Sequence, residues 1–321
     1  MINRRFLRIK VLQAVYAYKQ SEQSNVADAQ RKLMNSIDAL YELFVRQMSL
    51  LVEVKQFAEQ RIEENRHKNF PTEEDLNPNL KFVSNRVINA IENNKSFERL
   101  EEKYKINWAQ DRDDFVRRCY NNIREYPEYE EYMNRTKSSF EEDKKLLLDI
   151  IDNHLPDDDN LFDFFSDGNL FFNSDYQLEL FLLWKFINEL TAKFDENSPI
   201  PPAFKTSQYD DEDDKHFVAK LLEKTLLRAE EYRVLVSDNI SNWDYDRIAL
   251  MDKLLMFMAL TELTEFHEIP VKVTINEYIE LSKNYSTSES RRFINGLLDK
   301  LVVRLKEQNK LVKTGLGLVD N

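Results

Sequence analysis

The chain has 321 residues, a formal charge of −13 and 42% hydrophobic residues, which suffices for a sizeable core and one to three domains. Its four glycines (Gly168, Gly296, Gly315 and Gly317) cannot assemble a P-loop or a dinucleotide fingerprint, and with only eight prolines the chain favours long helices over turn-rich sheets. Cys119 is the only cysteine and His67, His154, His216 and His267 are widely separated, so no disulfide, thiolate metal site or metal-ligand spacing is available.

No cofactor or metal is expected on these grounds. No window reaches the roughly 18 uncharged apolar residues of a membrane span. The basic start MINRRFLRIK leads into no apolar segment of signal-peptide length. A cytoplasmic protein without membrane contact is the expectation. The charge is unevenly spread. Met1 to Ser21 holds five basic residues and no acid, whereas acids collect at Glu73–Asp75, Glu128–Glu131, Glu141–Asp143, Asp157–Asp159 and Asp210–Asp214.

The first predicted helix covers Arg4 to Gln20, with Ile9, Leu12, Val15 and Tyr16 as its apolar stripe. Arg4 and Arg8 stand one turn apart, with Arg5 nearby. Two readings stay open here: a solvated basic helix end, or an arginine cluster for phosphate. After a polar connection, a second helix runs from Val26 past Ile62, its stripe being Leu33, Ile37, Leu40, Phe44, Leu51, Ala58 and Ile62. Pro71 and Asn77-Pro78-Asn79 mark loops.

From about Phe70 to Tyr209 the chain is strongly charged, yet its apolar periodicity stays helical: Phe82, Val83, Val87, Ile91; Phe115, Cys119, Ile123; Leu146, Leu147, Ile150, Ile151. Cys119 reads as packing. The aromatic runs Leu161–Phe165 and Leu170–Phe172 read as core packing, because adjacent aspartates disfavour base stacking. Gln177 to Lys193 should be a buried helix. Pro199, Pro201 and Pro202, followed by the acidic run, form the clearest boundary. The expected domains are 1–69, 70–209 and 210–321.

A helix then starts near Phe217 and runs toward Ser237. The segment Ser241 to Asp246 supplies an N-cap candidate at Asp244 or Asp246 for a helix from Arg247 to Phe266, which is apolar almost all round and should be central. The stretch Ile269 to Asp299 contains two helix starts. Thr274 precedes Glu277 by three residues, the capping-box spacing, with Val273 and Tyr278 placed as a hydrophobic staple. Ser286 and Glu289 repeat the spacing before a longer helix striped by Phe293, Leu297, Leu301 and Leu305. Gly296 lies inside that helix and suggests a close backbone approach there. No strand pattern competes, so the fold class is all-α. No carboxylate pair is forced into one pocket, so no acid–base dyad emerges.

Two blocks of residues resemble the NusB family of transcription antitermination factors. The C-terminal block, Asp214 to Leu305, includes Asn242-Trp243, Arg247-Ile248-Ala249, Glu262-Leu263, Ile269-Pro270, Lys272-Val273, Ile275-Asn276-Glu277, Ile279-Glu280-Leu281, Lys283, Phe293, Asn295-Gly296 and Leu298-Asp299. The N-terminal block is Arg4, Arg5, Arg8 and Gln13-Ala14-Val15-Tyr16. The resemblance implies a two-subdomain helical bundle, here with a large helical insertion, and no catalysis. It implies pairing with the ribosomal protein NusE on single-stranded boxA-type RNA within the transcription elongation complex, in support of ribosomal RNA transcription. Carried over by position, the RNA surface is Arg4, Arg5, Arg8, Tyr16, Glu289, Ser290, Arg291, Arg292 and Phe293. The NusE-facing surface includes Val271, Lys272 and Glu277. The chain departs from the family pattern at Phe6, where many relatives add an arginine, and in the region 70–209, which has no counterpart in compact members.

Charge plus stacking is what holds single-stranded RNA, and Arg291, Arg292 and Phe293 supply both. Phe293 equally heads an apolar stripe, so a core role stays open. Two other readings compete: a helical protein–protein scaffold of NusB-like fold without RNA binding, and a NusB-like part of an RNA-modifying system, for which the chain lacks a Gly-rich cofactor site.

Overall fold

The structure, a computed structural model, describes residues 2–21, 25–136, 139–207, 213–240 and 244–318. The described residues contain helices and no strand. In chain order the helices are α1 (Arg4–Gln20), α2 (Val26–Arg66), α3 (Glu73–Leu76), α4 (Arg86–Glu92), α5 (Lys95–Tyr104), α6 (Arg117–Glu125), α7 (Pro127–Asn134), α8 (Phe140–Asn153), α9 (Asp159–Gly168), α10 (Leu170–Glu189), α11 (Asp214–Leu227), α12 (Ala229–Asn239), α13 (Leu250–Glu265), α14 (Val271–Tyr285) and α15 (Ser288–Glu307). The chain divides into two compact units, Met1–Ile37 with Pro202–Asn321, and Asp38–Pro201. The first division falls within α2, whereas sequence composition suggested one near residue 69.

In the first unit α13 is the central helix. Leu254, Leu255, Met256, Met258, Ala259, Leu260 and Leu263 are all essentially inaccessible, because α1, α11, α12, α14 and α15 pack around it. A helix apolar almost all round has little solvent face to offer, as the sequence pattern suggested. It begins at Leu250, later than the expected Arg247. Asp244 instead accepts from the Asp246 N–H and caps a short 3-10 turn, Tyr245–Arg247. The resemblance residues Asn242-Trp243 and the acids Asp210–Glu212 lie outside the described residues.

The second unit is held by buried polar hubs as well as by apolar packing. Asp143 on α8 is fully buried; its Oδ2 accepts from the Arg86 N–H at 3.0 Å and its Oδ1 from the Tyr132 hydroxyl at 2.7 Å. Asn85 and Asn94 cap α4 and α5. The aromatic run is packing, as expected: Phe164 stacks on Phe115 with centroids 3.7 Å apart, and Trp108 lies against both. Burial pushes the Cys119 thiol up to about 12, which keeps it protonated near neutral pH.

The two units differ sharply in charge. The first carries 24 Lys and Arg against 23 Asp and Glu, and the second 21 against 35. The net negative charge of the chain therefore resides in residues 38–201.

Candidate functional site

The N-terminal arginines do not form a free cationic cluster. Asn3 caps α1 by accepting from the Phe6 N–H, and the helix packs on α11 and α13. That placement carries each arginine to a carboxylate. Arg4 Nε donates to Asp214 Oδ1 at 3.3 Å, on α11. Arg5 donates twice to Glu277 on α14, Nε to Oε2 at 3.0 Å and Nη2 to Oε1 at 2.8 Å. Arg8 donates twice to Glu262 on α13, Nε to Oε2 at 2.7 Å and Nη2 to Oε1 at 2.8 Å. The guanidinium carbons of Arg4 and Arg8 also lie 4.8 and 5.3 Å from the Phe217 ring centroid, a cation–π arrangement.

These pairs differ in exposure, and that decides their roles. Arg8 is 3% exposed and Glu262 is inaccessible. Burial alone works against the Arg8 charge, but Glu262 more than offsets it, and the net effect raises the Arg8 pKa. Glu262 also accepts from the Thr274 hydroxyl at 2.9 Å and the Tyr278 hydroxyl at 3.3 Å. Burial first, and then Glu262, pushes the Tyr278 phenol well up. Arg8 thus has no surface to offer a ligand. Arg5 is different: 46% of its side chain is exposed, against 18% for Glu277. The hydrogen bond from Arg5 is the main reason the Glu277 carboxyl lies below its usual range. Tyr16 is exposed at 39% and accepts a hydrogen bond from Gln20.

The two capping boxes expected in Ile269–Asp299 are absent. Helix α14 begins at Val271, directly after Pro270, so Thr274 is already inside the helix and uses its hydroxyl on Glu262. Glu277 is turned to Arg5 instead of back to a cap. Val273 is 44% exposed while Tyr278 is buried, so no staple forms between them. At the second start Thr287 is the N-cap, accepting from the Ser290 N–H at 3.1 Å. Ser286 ends α14 and donates its hydroxyl to Asp252. Gly296 is exposed, and a Cβ there would meet nothing within 4 Å, so no backbone approaches it.

The α15 start presents a different surface. Glu289 and Arg292 are exposed, and Ser290, Arg291 and Phe293 are half-buried. Ile294, Leu297, Leu298, Leu301 and Leu305 form the buried stripe, with Phe293 at its margin rather than within it. Among the described residues neither Arg291 nor Arg292 has an ion-pair partner. Arg4, Arg5 and Arg8 of α1 pair with carboxylates on α11, α14 and α13.

An open cleft of about 620 Å³ is lined by Arg4, Arg5, Arg8, Val273, Glu277 and Leu316 among others; of the three residues expected to face NusE, Glu277 lines it and Val271 and Lys272 do not. Val271 is buried at the first position of α14, and Lys272 is exposed beside it. A C-terminal strap forms one wall, which sequence reading did not anticipate. Lys313 Nζ donates to Phe266 O at 2.8 Å, Thr314 N to His267 O at 3.1 Å, and Leu316 N to Glu268 Oε2 at 3.1 Å. Burial brings the Lys313 ammonium down to about 8. The available signal for the strap was the pair Gly315 and Gly317, just past a lysine. Gly315 has φ +50°, and a Cβ on Gly317 would stand 1.9 Å from His267 O.

The first unit is helical throughout its described residues, with α1 ion-paired to its bundle and Arg291 and Arg292 at the α15 start without ion-pair partners among those residues, which places the chain among all-α proteins. The NusB family profile matches residues 182–303. The transcription antitermination protein NusB of Salinibacter ruber is 40% identical over 110 residues, which is 34% of this chain and 69% of that protein. The NusB of Chloroherpeton thalassium is 37% identical over 106 residues (33% of this chain and 50% of that one), and that of Methylacidiphilum infernorum is 35% identical over 92 residues (29% and 64%). No solved structure matches. The chain belongs to the NusB family, a family of non-enzymatic transcription antitermination proteins. The matched region runs from within α10 to within α15 and excludes α1, so the N-terminal resemblance rests on its own residues. No helix among the described residues is long and apolar enough to cross a membrane.

Proposed function

We propose that this protein binds single-stranded boxA-type RNA together with NusE, as an antitermination factor in the elongation complex that transcribes ribosomal RNA. The observation that carries this reading is the α15 start, where Arg291 and Arg292 stand without ion-pair partners among the described residues and Phe293 lies at the edge of the core. Two unpaired guanidinium groups and one aromatic face meet the needs of a single strand, charge for phosphate and a ring for a base. Glu289, Ser290 and Tyr16 belong to the same proposed surface, with Arg4 and Arg5 as partly exposed cations. Arg8 serves it indirectly, by fixing α1 to α13. Val271, Lys272 and Glu277 at the α14 start form the proposed NusE-facing corner. Residues 70–209 are proposed as an insertion that meets protein rather than RNA, since the second unit's excess of acids repels phosphate.

A titration of boxA RNA against the protein, with and without NusE at two salt concentrations, tests this. Affinity should rise with NusE and fall as salt rises. RNA that binds neither the protein nor the pair would sink the reading. A second reading, a helical scaffold without RNA binding, is favoured by one observation: all three α1 arginines are engaged by Asp214, Glu277 and Glu262. NusE capture that RNA never enhances would favour the scaffold.

A further inference from the structure

We propose that the Glu277 carboxylate is a switch: alone it holds Arg5, and a cationic side chain of the protein partner draws it away, freeing Arg5 for an RNA phosphate. The proposal rests on the RNA-and-NusE reading above and concerns the regulation of its site.

The geometry carries it in three parts. First, the Arg5 Nε–Nη2 edge is the edge that grips a phosphate with two parallel bonds, and Glu277 occupies it with two bonds of 3.0 and 2.8 Å. RNA and Glu277 therefore compete for the same donors. Second, apart from Arg5, Glu277 is held by a longer ion pair to Arg8. It caps no helix, and the buried Arg8, 3.6 Å from its Oε2, keeps both hydrogen bonds to Glu262 when Glu277 moves. The Arg5–Glu277 pair is at the rim of the fold, where ion pairs contribute little to stability, so exchange is open. Third, Glu277 lies one helical turn from the exposed Val273, and both line the cleft that Leu316 of the strap borders. A partner that seats an apolar side chain between Val273 and Leu316, and a lysine or arginine beside it, meets Glu277 directly.

Linkage then makes the effect reciprocal: the partner raises RNA affinity, and RNA raises partner affinity by the same factor. Arg5 is silent in the isolated protein and active in the pair.

The test uses the full chain, labelled boxA RNA and NusE. Glu277→Gln keeps the size of the side chain and removes its charge. The variant alone should bind RNA roughly fivefold more tightly, the lower end of usual couplings. Its salt dependence should steepen by the equivalent of about one neutralised phosphate. NusE should bind it more weakly without RNA and add less to RNA affinity. Arg5→Gln should leave RNA binding by the isolated protein unchanged, weaken binding by the pair, and abolish the gain from Glu277→Gln in the double variant. A Glu277→Gln protein with wild-type helicity, unchanged RNA affinity and full NusE enhancement overturns the switch and leaves the RNA-and-NusE reading standing. An Arg5→Gln protein that loses RNA affinity equally with and without NusE also overturns it. Wild-type protein that binds no boxA RNA in either condition takes down both.

Discussion

Arg8 and Glu262 form a fully buried ion pair with two hydrogen bonds, of 2.7 and 2.8 Å, that joins α1 to the central helix α13. Glu262 also serves Thr274 and Tyr278, so one carboxylate organises three helices. Breaking such a pair from one side leaves a buried charge unpaired. Arg8→Met should therefore destabilise the first unit by about 3–5 kcal/mol. The double variant Arg8→Met, Glu262→Leu should recover part of that loss, with the orphaned hydroxyls of Thr274 and Tyr278 keeping it below wild type. Urea unfolding checks both, and a single variant as stable as wild type would refute the pair's structural role.

Arg291 and Arg292 lead to the opposite expectation. With no ion-pair partner among the described residues, they contribute little to stability. Replacing both with glutamine should change unfolding free energy by no more than about 0.5 kcal/mol. RNA affinity should drop, and the salt slope should fall by about one for each phosphate that is no longer neutralised. Unaltered RNA binding would remove α15 from the interface.

Two glycines separate backbone need from helix propensity. A Cβ on Gly317 meets the His267 carbonyl oxygen at 1.9 Å, so Gly317→Ala should undock the strap and speed hydrogen exchange at the Thr314 amide, which donates to that same carbonyl. Gly296 is in an exposed helix interior with open space around it. Gly296→Ala should stabilise the first unit by up to about 1 kcal/mol. A destabilised Gly296→Ala protein would show that a close neighbour exists after all.

Glu179 on α10 is fully buried, and neither carboxyl oxygen has a hydrogen-bond partner among the described residues. Burial raises its pKa well above the ordinary 4.5. Between the two pKa values the folded chain holds a proton that the unfolded chain releases, so this group's contribution to stability falls as pH rises from about 4.5 up through the raised folded pKa. Glu179→Met should make the protein more stable at neutral pH, and the gain should shrink toward pH 4. Denaturation of both proteins across that range measures it; a gain independent of pH would mean the carboxyl is not held protonated.

Much of the architecture was legible locally. The 3- and 4-residue spacing of Ile9, Leu12 and Val15 marked α1 at Arg4–Gln20, and the unbroken apolar run from Leu254 to Leu260 marked α13 as central. The caps were misread by one turn or less, because Thr274 and Ser286 have capping-box spacing but use their hydroxyls on the distant acids Glu262 and Asp252. Spacing shows what a side chain can do locally, not what a tertiary partner makes of it.

The sequence by itself determined the all-α class, the family resemblance and the concentration of acid outside the first unit, since each follows from residue types and their periodicity. Only the tertiary structure decided the arginines. Arg4, Arg5 and Arg8 are neighbours on one helix start, yet their carboxylates lie 210, 272 and 254 residues away in the chain. A charge carries no record of its partner in sequence. The fold buried Arg8 as a structural anchor, left Arg5 half-exposed against Glu277, and kept Arg291 and Arg292 without ion-pair partners among the described residues.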